Sequence, residues 1–445
     1  TFMISAGSAA VTRLAAGKAA ASDRIRVAVL GVNGRGRDHI QGIMRLPDAE
    51  VALLCDPDAK VLAERARGFE SRHGKPVATE ADLRRVLERK DIDAVTVATP
   101  NHWHSLAAIW ACQAGKDVYV EKPASHNIFE SHKLVEAARK YKRMVQVGSQ
   151  SRTIAHKVRA IQLLNEGIIG QIYHARALCF RRRFSIGHTP DEPAPPGLDW
   201  SAFLGPAQMR PYSKNRFAYN WHWFWDTGNG DIGNQGVHEM DIALWGLGRG
   251  GWPLTVQSTG GKFVWQDDQE TPNTQQALFN FGDCQMTFEV RNLPTPPEGL
   301  APLRGPNYVG NIFFGHAGYM VLDQAGFAVY KSSAPNLSGE AARGAGAGRA
   351  ERYEKAMEEK ADGAPTVPHV RNFLDAVRSR DHTKLTAESA IGARAASFCH
   401  LANIAYRVGR TLRMDQSSGR ILGDSEANSL LTRDYRAPYI VPAQV

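Results

Sequence analysis

The 445-residue chain is poor in cysteine, with five in all. Cys55, Cys112, Cys179, Cys284 and Cys399 stand far apart, without a C-x-x-C pair or metal-ligand spacing. An odd, sparse set in a chain this long argues against a disulfide scaffold, and buried free thiols are expected. Long apolar runs are missing too. None approaches the ~18 residues that a membrane-crossing helix requires. Charge of one sign is only slightly in excess, at a net +9 scattered along the chain. Only Arg181, Arg182 and Arg183 form a tight cluster. There is no basic tail, no zinc-finger spacing and no run of basic residues interleaved with aromatics. Nucleic acid is therefore not an expected partner. The basic excess reads as solvated faces plus a phosphate-bearing ligand.

What is present is the balance of a globular protein. Hydrophobic residues make up 43% and charged residues 22%, which excludes a long disordered chain and a coiled-coil rod. At about 150 residues per domain, two or three domains are expected. Residues 1–22 are small, apolar and almost without charge. They resemble the weakly hydrophobic core of a twin-arginine export signal followed by a small-residue cleavage region. The diagnostic Arg pair is absent. Export to the periplasm is the expectation, against a helical arm or flexible tail on a cytoplasmic protein.

From residue 23 the pattern alternates. Apolar strands are expected at 25–30, 51–55, 93–99, 117–121 and 144–147. Helices are expected at 37–45, 58–73, 80–88, 102–114 and 127–141. Nearly continuous apolar strands between helices indicate a parallel sheet covered on both faces, a doubly wound α/β domain over 23–150. The turn after the first strand reads Gly31-Val32-Asn33-Gly34-Arg35-Gly36. Gly31 and Gly36 fit the first and third positions of the dinucleotide fingerprint G-x-G-x-x-G. Asn33 holds the second, where its tolerance of positive φ and the freedom of Gly34 would let the backbone approach a pyrophosphate. Asp56, 20 residues past Gly36, ends the second strand and is suited to a ribose diol, which favours NAD. Arg35 and Arg37 suit a 2′-phosphate, so NADP stays open. The plain alternative is an ordinary turn with Asp56 as a helix cap.

Two further segments narrow the reading. Ala98-Thr99-Pro100-Asn101-His102-Trp103-His104 follows the third strand. Gly115-Lys116-Asp117-Val118-Tyr119-Val120-Glu121-Lys122-Pro123 contains the fourth. With Val147-Gly148-Ser149-Gln150 and the later Gly228-to-His238 segment, they resemble the glucose–fructose oxidoreductase / inositol dehydrogenase / MocA family of nicotinamide-dependent oxidoreductases. The resemblance spans residues 24 to about 410. It implies an N-terminal Rossmann domain followed, over 151–410, by an α/β domain with an open, mostly antiparallel sheet. The strand pattern at 171–181, 255–264, 274–281, 285–291 and 319–323 agrees. The resemblance also implies dimers or tetramers through the outer face of that sheet. It carries cofactor contacts onto Thr99, Pro100, His104, Glu121 and Lys122. Residues 185–200 and 336–350 read as loops, and 368–378 and 387–408 as packed helices. Residues 411–445 read as an arm over a neighbouring subunit.

Oxidising a secondary alcohol requires a base for the hydroxyl proton and a cation beside the developing alkoxide. The resemblance gives these roles to Lys122, which stabilises the substrate oxygen, and His238, the general base. For either residue alone, a surface lysine or a core histidine is the plain reading. The family's Asp of D-x-x-x-H is Asn234 here. Asn orients a hydroxyl but carries no proton. Asn234 shares a helix face with His238, and Asp241 stands either as a tuner of that imidazole or as a surface carboxylate. No H-E-x-x-H is formed and no metal is expected. The run Asn220 to Asp226 is rich in Trp and suits either a sugar-binding floor or an aromatic core. Arg152, Arg181, Arg183, Tyr219, His222 and Trp223 are candidate substrate contacts. His102 and Trp103 either border the nicotinamide or cap and pack.

The expected activity is NAD(P)-dependent oxidation or reduction at a carbinol carbon of a sugar, sugar alcohol or glycoside, C3 of a glycoside included. An exported enzyme would retain its cofactor tightly. A redox-neutral glycosidase, with His222 or Tyr219 as an extra base, and a non-catalytic sugar-binding protein are the rivals.

Overall fold

The computed structural model describes residues 23–295, 307–333, 352–361 and 366–445. The segment 1–22 and the expected loop at 336–350 lie outside the described residues. The first domain is built on six short strands. These are β1 (Ile25–Leu30), β2 (Ala49–Cys55), β3 (Ala78–Glu80), β4 (Ala94–Val97), β5 (Asp117–Val120) and β6 (Val145–Val147). They lie parallel in the order β3-β2-β1-β4-β5-β6. The order reverses between β1 and β4, which opens a crevice at their C-terminal ends. The crossovers are α1 (Gly36–Met44), α2 (Ala59–His73), α3 (Leu83–Glu88), α4 (His104–Gln113) and α5 (Ile128–Lys140). Their starts follow the capping residues. Asp58, Asp82 and Asn127 each accept a backbone N–H of the first turn, satisfying donors that the helix cannot.

After α6 (Ala155–Asn165) the period changes. β7 (Ile172–Arg181) runs through the middle of a nine-stranded sheet. Following β7 come the short helices α7 (Trp200–Leu204) and α8 (Gly230–Asn234), then α9 (Gly236–Leu247). The remaining long strands are β8 (Thr255–Gly261), β9 (Thr274–Asn280), β10 (Gln285–Arg291), β11 (Asn307–Gly315), β12 (Gly318–Asp323), β13 (Gly326–Ser332) and β14 (Tyr353–Lys360). All pairings are antiparallel except β10 with β7. One face of this sheet is covered by α6, α9 and a later helix, α11 below, through Ile161, Met240, Phe288 and Phe398. All five cysteines are buried and free. No helix among the described residues is long and apolar enough to cross a membrane.

The C-terminal part departs from expectation. α10 (Thr366–Ser379) belongs to the first domain, where Val370, Phe373 and Leu374 pack with Val27 and Val29. The long α11 (Ser389–Val408) runs between the domains, and β15 (Leu412–Arg413) adds an edge strand beside β8. Beyond α12 (Ser425–Ser429) the chain does not reach away as an arm. It turns back on the first domain, where Tyr439, Val441 and Val445 join the core with Val95, Leu106 and Val120. Three apolar side chains at 439, 441 and 445 bury more surface there than an extended arm would.

Candidate active site

A single cleft of about 430 Å³ runs from the glycine turn to the aromatic segment of the second domain. Its near end is the turn after β1. Gly31 has φ +80°, and a Cβ there would stand 2.7 Å from Ala98 O. At Gly36 a Cβ would strike Gly31 O, so the helix start can lie this close to the strand only as glycine. Gly34 borders open space at the cleft. Asn33 is exposed and not at positive φ, so the conformational freedom expected of it is not used. Asp56 sits under the turn. Its oxygens accept Val32 N–H at 2.9 Å and Asp58 N–H at 3.1 Å. Burial pushes its carboxyl up to about 6, against the pull of those two amides. Arg35 is held by Glu121 at 3.0 Å and Asp38 at 2.8 Å. It is thereby engaged by two carboxylates while still lining the cleft, and Arg37 is exposed beside it.

The segment after β4 clamps the two domains together. His102 places Nδ1 3.2 Å from Thr227 O and Nε2 3.0 Å from Phe203 O. Trp103 donates to Ala202 O and Phe203 O. His102 is fully buried, and burial holds it down at about 3. Both side chains pack between the domains, and Trp103 also lines the cleft. His104 bridges Pro123 O at 2.7 Å and Thr99 O at 2.8 Å, which ties the two loops that carry Thr99, Pro100 and Lys122.

Lys122 is a half-buried cation at the far end of the cleft. Its Nζ donates to Asn234 O at 2.9 Å and approaches Asn234 Oδ1 at 3.4 Å. Burial lowers its pKa, against the attraction of Glu121. Glu121 is a hub. It accepts from Arg35 and His39, each at 3.0 Å, and from Gln150 at 3.1 Å. Burial alone would raise this carboxyl, but Arg35 and His39 outweigh it and hold it well below its ordinary value. Gly148 has to be glycine because a Cβ would stand 2.8 Å from the Glu121 carboxylate.

Across the cleft, α8 supplies Asn234 and Asp231. Asn234 Nδ2 donates to Tyr219 Oη at 3.1 Å and to Asp231 Oδ1 at 3.3 Å. Asp231 is fully buried and bound in a fork by Arg183 at 2.8 and 2.9 Å. A carboxylate thus lies one turn before the position where the family pattern carries one. Its signal was present in the sequence, in the same run of residues, but at the wrong offset. The Arg183 guanidinium stacks near Tyr219 and Trp223. His222 donates Nδ1–H to Tyr219 O at 2.6 Å, which leaves Nε2 as the acceptor nitrogen of a cleft-lining ring. Burial keeps it neutral, with a pKa of about 3. Trp221 stacks on His222 at 3.5 Å and lines the cleft as well.

His238 lies one turn beyond Asn234, behind the cleft wall. Its Nδ1 is buried without a partner, and burial together with Lys122 holds its pKa well below the ordinary value. Four expected substrate contacts, Arg152, Arg181, Arg183 and Trp223, do not line the cleft, and neither does His238. Arg152 forms a fork with Asp241 at 2.7 and 2.8 Å and lies over Trp245. Asp241 is therefore neither a tuner of His238 nor a surface carboxylate. Arg181 is tied to Gln235. Trp223 is buried behind Tyr219, and its carbonyl accepts from Glu270 and Thr271. Sequence reasoning also missed Asn101 and Tyr439, which line the cleft from the domain clamp and from the C-terminal segment.

Residues 25–149 match the model of an oxidoreductase family with an NAD-binding Rossmann fold. Residues 153–277 and 352–441 match the model of that family's C-terminal alpha/beta domain. The chain belongs to the Gfo/Idh/MocA oxidoreductase family. A curated protein of Saccharopolyspora erythraea described as "Glycosyl hydrolase family 109 protein" is 28% identical over 218 residues, 48% of this chain and 42% of that protein. One with the same description from Shewanella pealeana is 28% identical over 160 residues, 35% of each chain. The match thus spans less than half the length of these curated relatives. Among solved structures, a levoglucosan dehydrogenase in complex with NADH and levoglucosan has a TM-score of 0.64 at 18% identity. The alignment covers 88% of this chain and 100% of that one. The WlbA dehydrogenase of Bordetella pertussis, in complex with NADH and UDP-GlcNAcA, has a TM-score of 0.61 at 18% identity, with the same coverage. These likenesses show the fold. The residues of this Gfo/Idh/MocA family member fit the nucleotide of an NAD-binding Rossmann fold: a turn that only glycine can make, open space at Gly34, and a carboxylate under the turn.

Proposed function

We propose that the protein transfers a hydride between nicotinamide and a carbinol carbon of a sugar, sugar alcohol or glycoside, C3 of a glycoside included. One observation carries this reading. The same cleft is lined at one end by the nucleotide turn and at the other by the Lys122 amine, Asn234, Tyr219, Trp221 and His222. Aromatic faces beside polar groups suit the C–H and O–H surfaces of a sugar ring. NAD is favoured over NADP, because Asp56 lies under the turn and Arg35 is spent on Glu121 and Asp38.

Bound NAD supplies the acceptor for the hydrogen that leaves the carbinol carbon with its electron pair. Lys122 Nζ meets the carbinol oxygen and stabilises the negative charge that develops there. His238, a neutral imidazole whose Nδ1 has no partner, stands behind the cleft wall, so the hydroxyl proton reaches it through an intervening group and not by direct contact. Asn234 orients: its amide N–H groups are engaged by Tyr219 and Asp231, and its carbonyl faces Lys122. Asp231 holds that amide and is itself fixed by Arg183.

A second reading has its own support. His222 carries an unprotonated Nε2 on the cleft wall, and curated relatives are described as glycosyl hydrolases. Oxidation at C3 acidifies the C2 proton, and His222 would remove it in an elimination–hydration cycle that ends with reduction. Mass spectrometry of products from a glycoside panel, with NAD added, separates the two. A product two hydrogens lighter with matching NADH supports the dehydrogenase. Free aglycone and intact sugar with no net NADH support the redox-neutral glycosidase.

A further inference from the structure

A second cavity, of about 540 Å³, shares no lining residue with the cleft. It lies between α11, the segment 225–229 and the returning chain at 429–434. Two guanidinium groups face it. Arg433 donates Nη1 to Asp226 O at 2.6 Å and to His126 Nδ1 at 3.3 Å. Its Nε and Nη2 are buried without a partner. Arg407 lies over the Trp225 ring at 5.3 Å and makes no hydrogen bond or ion pair among the described residues. Asp226, one of two carboxylates in the lining, is bound to Arg210 at 3.0 Å. The other, Asp434, is exposed. Glu130, which attracts Arg433 from behind His126, is engaged by Asn127, Tyr435 and the His126 amide. His126 accepts from Arg433 and so donates Nε2–H to Gly228 O at 3.2 Å, which makes it the neutral tautomer. Unpaired guanidinium N–H groups in a polar enclosure are costly. An oxyanion satisfies them through charge-assisted bonds.

We propose that this cavity is a second binding site, for a small carboxylate- or phosphate-bearing molecule whose charged group sits between Arg433 and Arg407. The side-chain amides of Asn127, Asn229 and Asn403 line the cavity but are engaged within the protein, by Glu130, His126 O and Asn229 O among others, so the two guanidinium groups are what the site offers a ligand. The cavity stands back to back with the active site. Its wall at 225–229 runs directly into α8, which carries Asp231 and Asn234, and His126 is four residues after Lys122. An occupant therefore braces both segments that hold the catalytic amine.

Titration calorimetry on the NAD-saturated enzyme tests this, with inorganic phosphate and malonate as probes and glycerol as the neutral control. Saturation with NAD blocks the nucleotide end of the cleft. The expected result is binding of phosphate or malonate to the wild type and, with the same affinity, to Lys122→Ala. Arg407→Gln weakens it by about tenfold or more, and Arg407→Gln/Arg433→Gln abolishes it. Which probe binds tells phosphate from carboxylate. Absence of binding by both probes up to about 20 mM overturns the proposal, as does loss in Lys122→Ala or full affinity in Arg407→Gln. Arg407 makes no hydrogen bond or ion pair among the described residues and only lies over Trp225, so its variant keeps the test decisive if the double variant does not fold.

Discussion

Lys122 and Asp56 are each shifted by burial toward their neutral forms, and each shift has a measurable consequence. For Lys122, Lys122→Met removes the cation at the developing alkoxide while leaving the glycine turn intact. Steady-state kinetics should show kcat for alcohol oxidation falling by about 10²–10⁴-fold, with NAD affinity within about threefold of wild type. For Asp56, the carboxyl titrates at about 6. Above that pH it is ionised and accepts ribose hydroxyls. Below it, protonation removes that acceptor. NAD affinity, followed by fluorescence titration, should fall as pH is lowered through 6, and Asp56→Asn should flatten the dependence. The residues themselves were readable in the sequence because the glycine turn and the E-K-P segment are local patterns. Arg152, Arg181 and Trp223 were misread because a side chain's partner is not local. Whether an arginine meets a substrate or a buried carboxylate such as Asp241 is decided by packing from elsewhere in the chain.

At the scale of elements, the first domain was legible, β3 excepted, because β1, β2, β4 and β5 are short apolar runs each followed by a helix. The second was only partly so. β14 reads Tyr-Glu-Lys-Ala-Met-Glu-Glu-Lys and is exposed along its whole length, so no alternation marks it as a strand. β3 has three residues with none fully buried. Its pairing with β2 is a tertiary event. The Arg152–Asp241 fork joins the segment after β6 to α9, and both side chains are largely buried. Arg152→Ala strands the Asp241 carboxylate and should cost about 3–5 kcal/mol by chemical denaturation. KM for the alcohol should stay near wild type, because neither residue lines the cleft.

Over the whole molecule, the buried histidines set the acid limit. His102, His104, His126, His222, His238, His369 and His400 all have pKa values lowered by burial. The unfolded chain takes up protons near 6.5, whereas these sites in the folded chain do so only well below it. Their contribution is fully present above pH 6.5 and is lost as pH falls. Each site still neutral when its unfolded counterpart is protonated subtracts about 1.4 kcal/mol per pH unit. Denaturation midpoints measured from pH 7.5 to pH 5 should therefore drop steeply below 6.5. A second prediction concerns the returning segment. Removing residues 436–445 takes Tyr439, Val441 and Val445 out of the first domain's core. At about 1.5–3 kcal/mol for each buried side chain, calorimetry should show the nucleotide domain melting well before the rest.

That return path also fixes an order of events during synthesis. The ribosome releases β1 to β6 early, yet the pocket that takes Tyr439 and Val445 stays open until those residues emerge, roughly 300 residues later. At about 5–20 residues per second the nascent nucleotide domain waits some tens of seconds with an apolar face bare. Chaperone occupancy on stalled nascent chains should therefore persist past β6 and end only once residue 445 is clear of the exit tunnel.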